Sequence, residues 1–309
     1  MKPPAIFLMG PTASGKTAAT EALISRFPVE IISVDSALVY RGMDIGTAKP
    51  DASFLTRVPH HLIDVCDPVE PYSAGRFRDD ATSLMADITA RGKIPLLVGG
   101  TMLYFRSLEK FDDLPDADPS YRQELQQVLD ALGPTELHRR LAAVDPDSAE
   151  RLHPNDSQRL VRALELNHVT GKPVANLQQQ GGQNLPYQLL KLGLFPEDRA
   201  KLHQRIEKRL TQMFDQGFVA EVSEMYSDEK LSPNLPALRA VGYRQVWEYL
   251  DGKSSLPEAQ ERSLFATRQL AKRQLTWLRK EPDLRKIDPL SAQLESVLAT
   301  AIENFLPKP

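Results

Sequence analysis

The chain has 309 residues, 41% of them hydrophobic and 26% charged, with a single cysteine and a formal net charge of −3. That length suggests about 2 domains, and the mixture is that of a soluble globular protein, which excludes wholesale disorder. Cys66 alone can build neither a disulfide framework nor a cysteine zinc site and fits a reducing cytosol. With so small a negative charge, any nucleic-acid role must come from a local basic patch.

The first apolar run, Ala5 to Met9, falls far short of a membrane span and lacks the longer apolar region and cleavage site of a secretory signal. A cytoplasmic enzyme, monomeric by default and with no protein partner required, is the expectation. The run reads as a strand that stops at Gly10. Helical composition follows from Ala18 to Arg26, before Pro28, and a second strand runs from Glu30 to Val34 and ends at Asp35. Ser73 to Ala90 is helical, and Ile94 to Val98 is a buried-type strand closed by Gly99 and Gly100. Strands alternating with helices predict parallel βαβ units, an α/β core with helices on both faces.

From about Leu114 the character changes. Pro115, Asp116, Asp118 and Pro119 form a cluster of breakers, and helical segments follow over Tyr121–Leu132, Thr135–Ala143, Ser148–Leu152 and Asp156–Val169. Gly171 and Pro173 close the last of these in the usual order of stop signals. Gln178 to Gln183 reads as a low-complexity loop. Tyr187 to Leu194 resumes the strand pattern, and helices are expected to the end. The predicted architecture is a phosphate-loop core over 1–114 and 187–309, holding an all-helical insertion at 115–186.

Gly10, Pro11, Thr12, Ala13, Ser14, Gly15, Lys16 and Thr17 match the G-x-x-x-x-G-K-[ST] phosphate loop without a mismatch, with a strand before and a helix after. The glycines let backbone N–H groups turn toward phosphate oxygens, and the helix N-terminus adds partial positive charge. Lys16 supplies a point charge, and Thr17 is placed to hold Mg²⁺. NTP hydrolysis would call for a strand ending in a metal-binding acid. The strand at 94–98 ends in Gly99-Gly100-Thr101 instead, whereas the one at 30–34 ends in Asp35. An acid at that place is either a ligand-facing carboxylate or a turn residue, and spacing alone leaves both open.

Several segments together, GPTASGKT (10–17), DSALVYRGMDIGTAKP (35–50), HHLIDVCDP (60–68), Gly99-Gly100-Thr101, QRLVRALE (158–165), RAVGYRQ (239–245) and KRQLTWLR (272–279), closely resemble the bacterial tRNA dimethylallyltransferases, also called tRNA isopentenyltransferases. The resemblance runs from residue 5 to about 285. It implies that dimethylallyl diphosphate alkylates the exocyclic amine of the adenine immediately 3′ of the anticodon, and that the phosphate loop binds the donor's diphosphate. By that resemblance Asp35 matches the proposed general base, Thr101 lies beside the reacting groups, and Lys16, Mg²⁺ on Thr17 and the loop N–H groups stabilise the departing diphosphate. Ser36, Ala37 and Leu38 continue the segment that contacts the target base, which must be flipped from the anticodon loop to be reached. Further tRNA contacts implied are Gln123, Gln158, Arg159, Leu160, Val161, Arg162, Arg239, Ala240, Val241, Gly242, Tyr243, Arg244, Lys272, Arg273 and Arg279, with the anticodon stem-loop as partner. Ala240 stands where relatives often have Cys, and Leu108-Glu109-Lys110-Phe111 replaces a segment that usually contains a Gly. The zinc finger of eukaryotic relatives has no counterpart among the residues near the C-terminus.

Arg159 and Arg162, three apart, share a helix face, which by itself reads first as a solvated face; the QRLVR resemblance turns it toward contact with the tRNA or the diphosphate. Arg262 to Lys280 holds six Lys or Arg and no acid. Leu264, Ala271, Leu275 and Leu278 recur there at helical spacing, and Arg268, Lys272 and Arg279 fall on another face. In a chain of net charge −3 that local concentration favours a rail for an RNA backbone over simple solvation or a membrane surface. Trp277 is expected in the core. His60-His61 has no accompanying cluster at ligand spacing, so a structural role is expected. The competing readings are an adenylate isopentenyltransferase, which needs neither the insertion nor the basic helix, a phosphate-loop nucleotide kinase, and a non-catalytic RNA-binding switch.

Overall fold

The computed structural model describes residues 2–109, 115, 118–178 and 185–307. Asp116, Lys110, Phe111 and the glutamine-rich stretch from 179 to 183 lie outside the described residues. In chain order the elements are β1 (Pro4–Met9), α1 (Lys16–Ile24), β2 (Val29–Val34), α2 (Ala52–Arg57), β3 (His60–His61), α3 (Ala74–Ala90), β4 (Ile94–Gly99), α4 (Met102–Glu109), α5 (Pro119–Leu132), α6 (Pro134–Val144), α7 (Pro146–Arg151), α8 (Ser157–Thr170), α9 (Val174–Gln178), β5 (Gln188–Leu194), α10 (Arg199–Asp215), α11 (Phe218–Tyr226), α12 (Tyr243–Leu250), α13 (Leu256–Lys280), β6 (Arg285–Ile287) and α14 (Leu294–Phe305). No described helix is long and apolar enough to cross a membrane.

The chain packs as two compact units, Met1–Leu108 with Pro186–Pro309, and Glu109–Leu185. The first is built on a six-stranded sheet in the order β3-β2-β4-β1-β5-β6, with every pairing parallel. Its central strands read as unbroken apolar runs because helices cover both faces. On one face Ile6, Leu8, Ile31, Leu96 and Leu192 pack with Leu23 of α1 and Ile302 of α14. On the other, the Phe7 and Phe105 rings lie 5.0 Å apart, and Phe77 stacks on Tyr104 at 4.4 Å. The α/β fold is as expected. Two edge strands were not: β3 and β6 are two and three residues long, too short to show a period, and β6 interrupts what was expected to be helix to the end.

The second unit is helical. Leu125 of α5, Leu137 and Leu141 of α6, and Leu160 and Leu164 of α8 form its core. A fully buried carboxylate sits in it: Glu165 accepts from the guanidinium of Arg122, one bond at 2.9 Å, and Arg162 approaches at 3.5 Å. An unpaired carboxylate there would cost several kcal/mol, on the order of 3–5, which is why two arginines converge on it.

Candidate active site

The carboxyl ends of β1, β2 and β4 meet at one edge of the sheet, where ligands bind in open α/β folds. The Gly10–Thr17 loop joins β1 to α1 with Ala13 (φ 60°) and Gly15 (φ 91°) in the left-handed region. Gly15 caps α1 without a side-chain bond, so the first N–H groups of the helix are left for an anion. Lys16 arches back over its own loop, donating from Nζ to the carbonyls of Gly10 (3.0 Å) and Pro11 (2.8 Å). Burial pushes its ammonium down to about 8, against the pull of the Asp35 carboxylate and with added repulsion from Arg209.

Asp35 closes β2 and does both things the sequence left open. Its Oδ1 accepts from the N–H groups of Ala37 (2.9 Å) and Leu38 (3.3 Å), making the turn. Among the described residues no hydrogen bond reaches Oδ2, and the side chain lines the cavity beside the phosphate loop. Thr101, after β4, accepts from the Ser36 N–H at 3.0 Å and ties the two strand ends together. Gly99 is required for this approach: a Cβ there would stand 1.9 Å from the Val34 carbonyl oxygen.

The DSALVYRGMDIGTAKP segment forms the next wall. Glu221 of α11 accepts from three successive backbone N–H groups, those of Asp44 (3.0 Å), Ile45 (2.6 Å) and Gly46 (3.1 Å), and from the Tyr243 hydroxyl. Lys49 is buried against the Tyr40 carbonyl (3.0 Å), Asp44 and Asp64. Arg209 of α10 donates to the Thr47 carbonyl at 3.0 Å. Glu221→Ala strips three N–H groups of their acceptor at once, so the protein should lose about 2 kcal/mol or more of stability. A thermal melt checks this, and an unchanged melting point would show that the loop holds itself.

These elements enclose a cavity of about 440 Å³. One end carries the phosphate loop with Arg205 and Arg209, and Asp35 stands beside it. Ile206, Leu210, Met213 and Phe218 supply apolar wall, interspersed with polar residues such as Thr47, His60 and Gln212. Such a site suits an anion joined to a short apolar group next to a proton acceptor. Sequence reading missed Arg205, Arg209, Glu221 and Gln274. Arg205 and Arg209, one turn apart on a helix rich in exposed charge, gave only the signal of a solvated face.

The remaining expected residues belong to both units. Ser36, Ala37 and Leu38 follow Asp35, with Ala37 and Leu38 in the cavity wall alongside Ala240, Val241 and Gly242. Tyr243 is buried, its ring 5.0 Å from that of Phe218 and its hydroxyl on Glu221, and it also belongs to the cavity lining. Leu160 is wholly inside the helical unit's core. In that unit Gln123 on α5 and Gln158 and Arg159 on α8 are exposed, Val161 is half-buried against the core, and Arg162 donates to the Pro115 carbonyl at 2.9 Å.

Arg239 and Arg244 are exposed, the latter paired with Glu248 at 3.1 Å. On α13, Ala271, Leu275 and Leu278 are buried, while Lys272, Arg273 and Arg279 face solvent. Trp277 is not in the core. It is 37% exposed, with the Arg106 guanidinium 5.8 Å from its ring, because its position on α13 falls outside the buried stripe. His60 contacts the Val58 carbonyl at 2.6 Å and also lines the cavity, and His61 contacts the Glu30 carboxylate at 3.1 Å.

The chain is similar to known proteins in both sequence and fold. The profile of the IPP transferase family matches residues 38–281. A tRNA dimethylallyltransferase of Thiobacillus denitrificans is 56% identical over 305 residues, which cover 98% of this chain and 97% of that protein. The crystal structure of the full-length tRNA isopentenylpyrophosphate transferase of Bacillus halodurans is similar with a TM-score of 0.71 at 37% identity, covering 98% of each chain. A eukaryotic dimethylallyltransferase captured acting on tRNA is similar with a TM-score of 0.82 at 29% identity, covering 98% of this chain and 79% of that one.

Proposed function

Since this chain belongs to the IPP transferase family, we propose that it transfers the dimethylallyl group of dimethylallyl diphosphate to the exocyclic N6 amine of the adenine immediately 3′ of a tRNA anticodon, in the cytoplasm. One observation carries the reading: a single cavity joins a phosphate loop, a carboxylate and an apolar wall. The diphosphate lies in the Gly10–Thr17 loop, met by the N-terminal N–H groups of α1 and by Lys16. The five-carbon group lies along the apolar wall, and the adenine enters beside Asp35.

The amine lone pair forms the new C–N bond to the allylic carbon while the C–O bond to diphosphate breaks. Negative charge then grows on the departing oxygens, where Lys16 and the loop N–H groups meet it. The surplus proton on the amine passes to Oδ2 of Asp35, whose Oδ1 is held by the turn and so fixes the carboxylate's direction. Thr101 fixes the Ser36 backbone against β4 and keeps that turn beside the amine.

Among the described residues no cluster of three or more acidic, histidine or cysteine side chains could hold a metal by itself. The exposed Thr17 hydroxyl in the cavity nevertheless fits Mg²⁺, which keeps most of its waters and takes one or two protein oxygens with substrate phosphates. Bound there with the donor, it would supply positive charge to the diphosphate.

The RNA is carried by the exposed cations of α13 and by the exposed residues of α5 and α8. Replacing Lys272 with Ala should weaken tRNA binding about equally for all sequences and lower the slope of log affinity against log salt by about 1. A binding titration at several salt concentrations checks this, and an unchanged slope would remove α13 as a backbone contact. The reaction itself is tested by following diphosphate release. It should require both tRNA and dimethylallyl diphosphate, and release with free AMP in place of tRNA, or phosphoryl transfer from ATP, would overturn the assignment.

A further inference from the structure

Gln274 is the one side chain of α13 seen to reach from the basic helix into the phosphate loop among the described residues. Its Oε1 accepts from the Thr12 N–H at 2.9 Å, and its Nε2 donates to the Gly100 carbonyl at 2.9 Å. The two groups belong to different loops, one following β1 and one following β4, which are neighbours in the sheet. Only a side chain with a donor and an acceptor a fixed distance apart makes both bonds, and the primary amide has that form. A carboxylate lacks the donor and an apolar residue lacks both.

Gly100 carries the imprint of the same contact. A Cβ there would stand 2.5 Å from Nε2 and 3.1 Å from the Gly10 carbonyl oxygen. The glycine therefore makes room for the amide, and its mutation would push the amide out. Within the loop, the Thr12 N–H is committed to Gln274 and the Ser14 N–H to the Pro11 carbonyl at 3.3 Å. These bonds fix the first half of the loop, and the second half, Gly15 to Thr17, is then presented to the cavity.

We propose that Gln274 is a positioning residue for the donor: α13 uses it to hold the phosphate loop in its diphosphate-binding form, so the helix whose outer face carries Lys272 and Arg273 also sets the affinity of the loop beneath it. This rests on reading Gly10–Thr17 as the diphosphate subsite. Gln274 borders the same cavity, but both ends of its amide are spent on Thr12 and Gly100, and it acts through them. Losing it should weaken ground state and transition state alike, which raises KM and leaves kcat nearly unchanged.

The test uses the full chain, with inorganic diphosphate as the probe in calorimetric titration and with steady-state transfer as a second readout. Gln274→Met keeps the volume and removes both bonds. It should weaken diphosphate binding by roughly tenfold, the loss expected for about one net hydrogen bond. The KM for dimethylallyl diphosphate should rise by a similar factor, while kcat and the KM for tRNA change by less than about twofold.

Gly100→Ala, which displaces the amide from the other side, should give the same loss, and the double variant should be no worse than either single one. If Gln274→Met does not fold, Gly100→Ala carries the same prediction. Diphosphate affinity within about twofold of the parent in a folded variant, or additive losses in the double variant, would overturn the proposal. Parent and variant differing tenfold for diphosphate while neither modifies tRNA would leave the role of Gln274 standing and remove the transferase reading instead.

Discussion

Replacing Asp35 with Ala is expected to lower kcat for prenyl transfer by about 10²-fold or more, the range for loss of a positioned general base, with tRNA affinity largely kept. The adenine amine is a weak nucleophile because its lone pair is delocalised into the ring, so its proton must leave as the C–N bond forms. The turn bonds from Ala37 and Leu38 engage only Oδ1, and Asp35→Asn separates the two roles. It retains an oxygen for the turn but has no basic oxygen for the amine, so it should be as slow as Asp35→Ala while melting near the parent temperature. Single-turnover kinetics at saturating substrates is the measurement. Turnover unchanged in either variant would show that Asp35 is a turn residue alone.

The second large effect belongs to Lys16. Its removal by Lys16→Ala should cost about 10²–10³ in kcat/KM for the donor, the scale of one preorganised group facing transition-state charge. In the free protein this ammonium is buried and pushed down to about 8 from 10.5. Diphosphate in the loop favours the charged form, so donor affinity should hold below pH about 8 and then fall by about tenfold per pH unit. Stability runs the other way. The folded state binds fewer protons than the unfolded chain between about 8 and 10.5, so the cost of burying this ammonium, present below that window, is relieved as pH rises through it. A pH titration of diphosphate binding, parent against Lys16→Ala, checks the sign, and an alkaline fall that persists in the variant would assign it to another group.

The parts of the fold that were legible in the sequence are those where one physical requirement dominates a contiguous stretch. β1, β2 and β4 are apolar runs because they are covered on both faces, and the glycines after β1 and β4 mark where backbones approach. The edge strands β3 and β6 were not legible, since two or three residues carry no period. Asp35 stood out because it directly follows the end of β2, Lys16 because it belongs to the phosphate-loop motif, and Thr101 through the family resemblance alone.

Glu221, Arg209 and Gln274 were hidden for a common reason. Each lies on an amphipathic helix far along the chain, and its use depends on which loop it meets after folding. Gln274 sits two residues from Lys272, yet one side chain turns to the phosphate loop while the other turns to solvent. Leu160 and Tyr243 lie within recognisable segments, and their side chains are buried. Trp277 departs from expectation: an aromatic ring expected inside lies partly open beneath Arg106.

The central claim is that an adenine amine in tRNA, and no other acceptor, receives the dimethylallyl group at this cavity. Its most direct test incubates the protein with Mg²⁺, dimethylallyl diphosphate and unmodified bulk tRNA, then digests the RNA to nucleosides for mass spectrometry. The predicted result is an adenosine heavier by one dimethylallyl group, absent when free AMP replaces tRNA and absent with Asp35→Ala on the same time scale. Unmodified adenosine in that digest, with ATP consumed in a parallel incubation, would contradict it and make the phosphate loop that of a kinase.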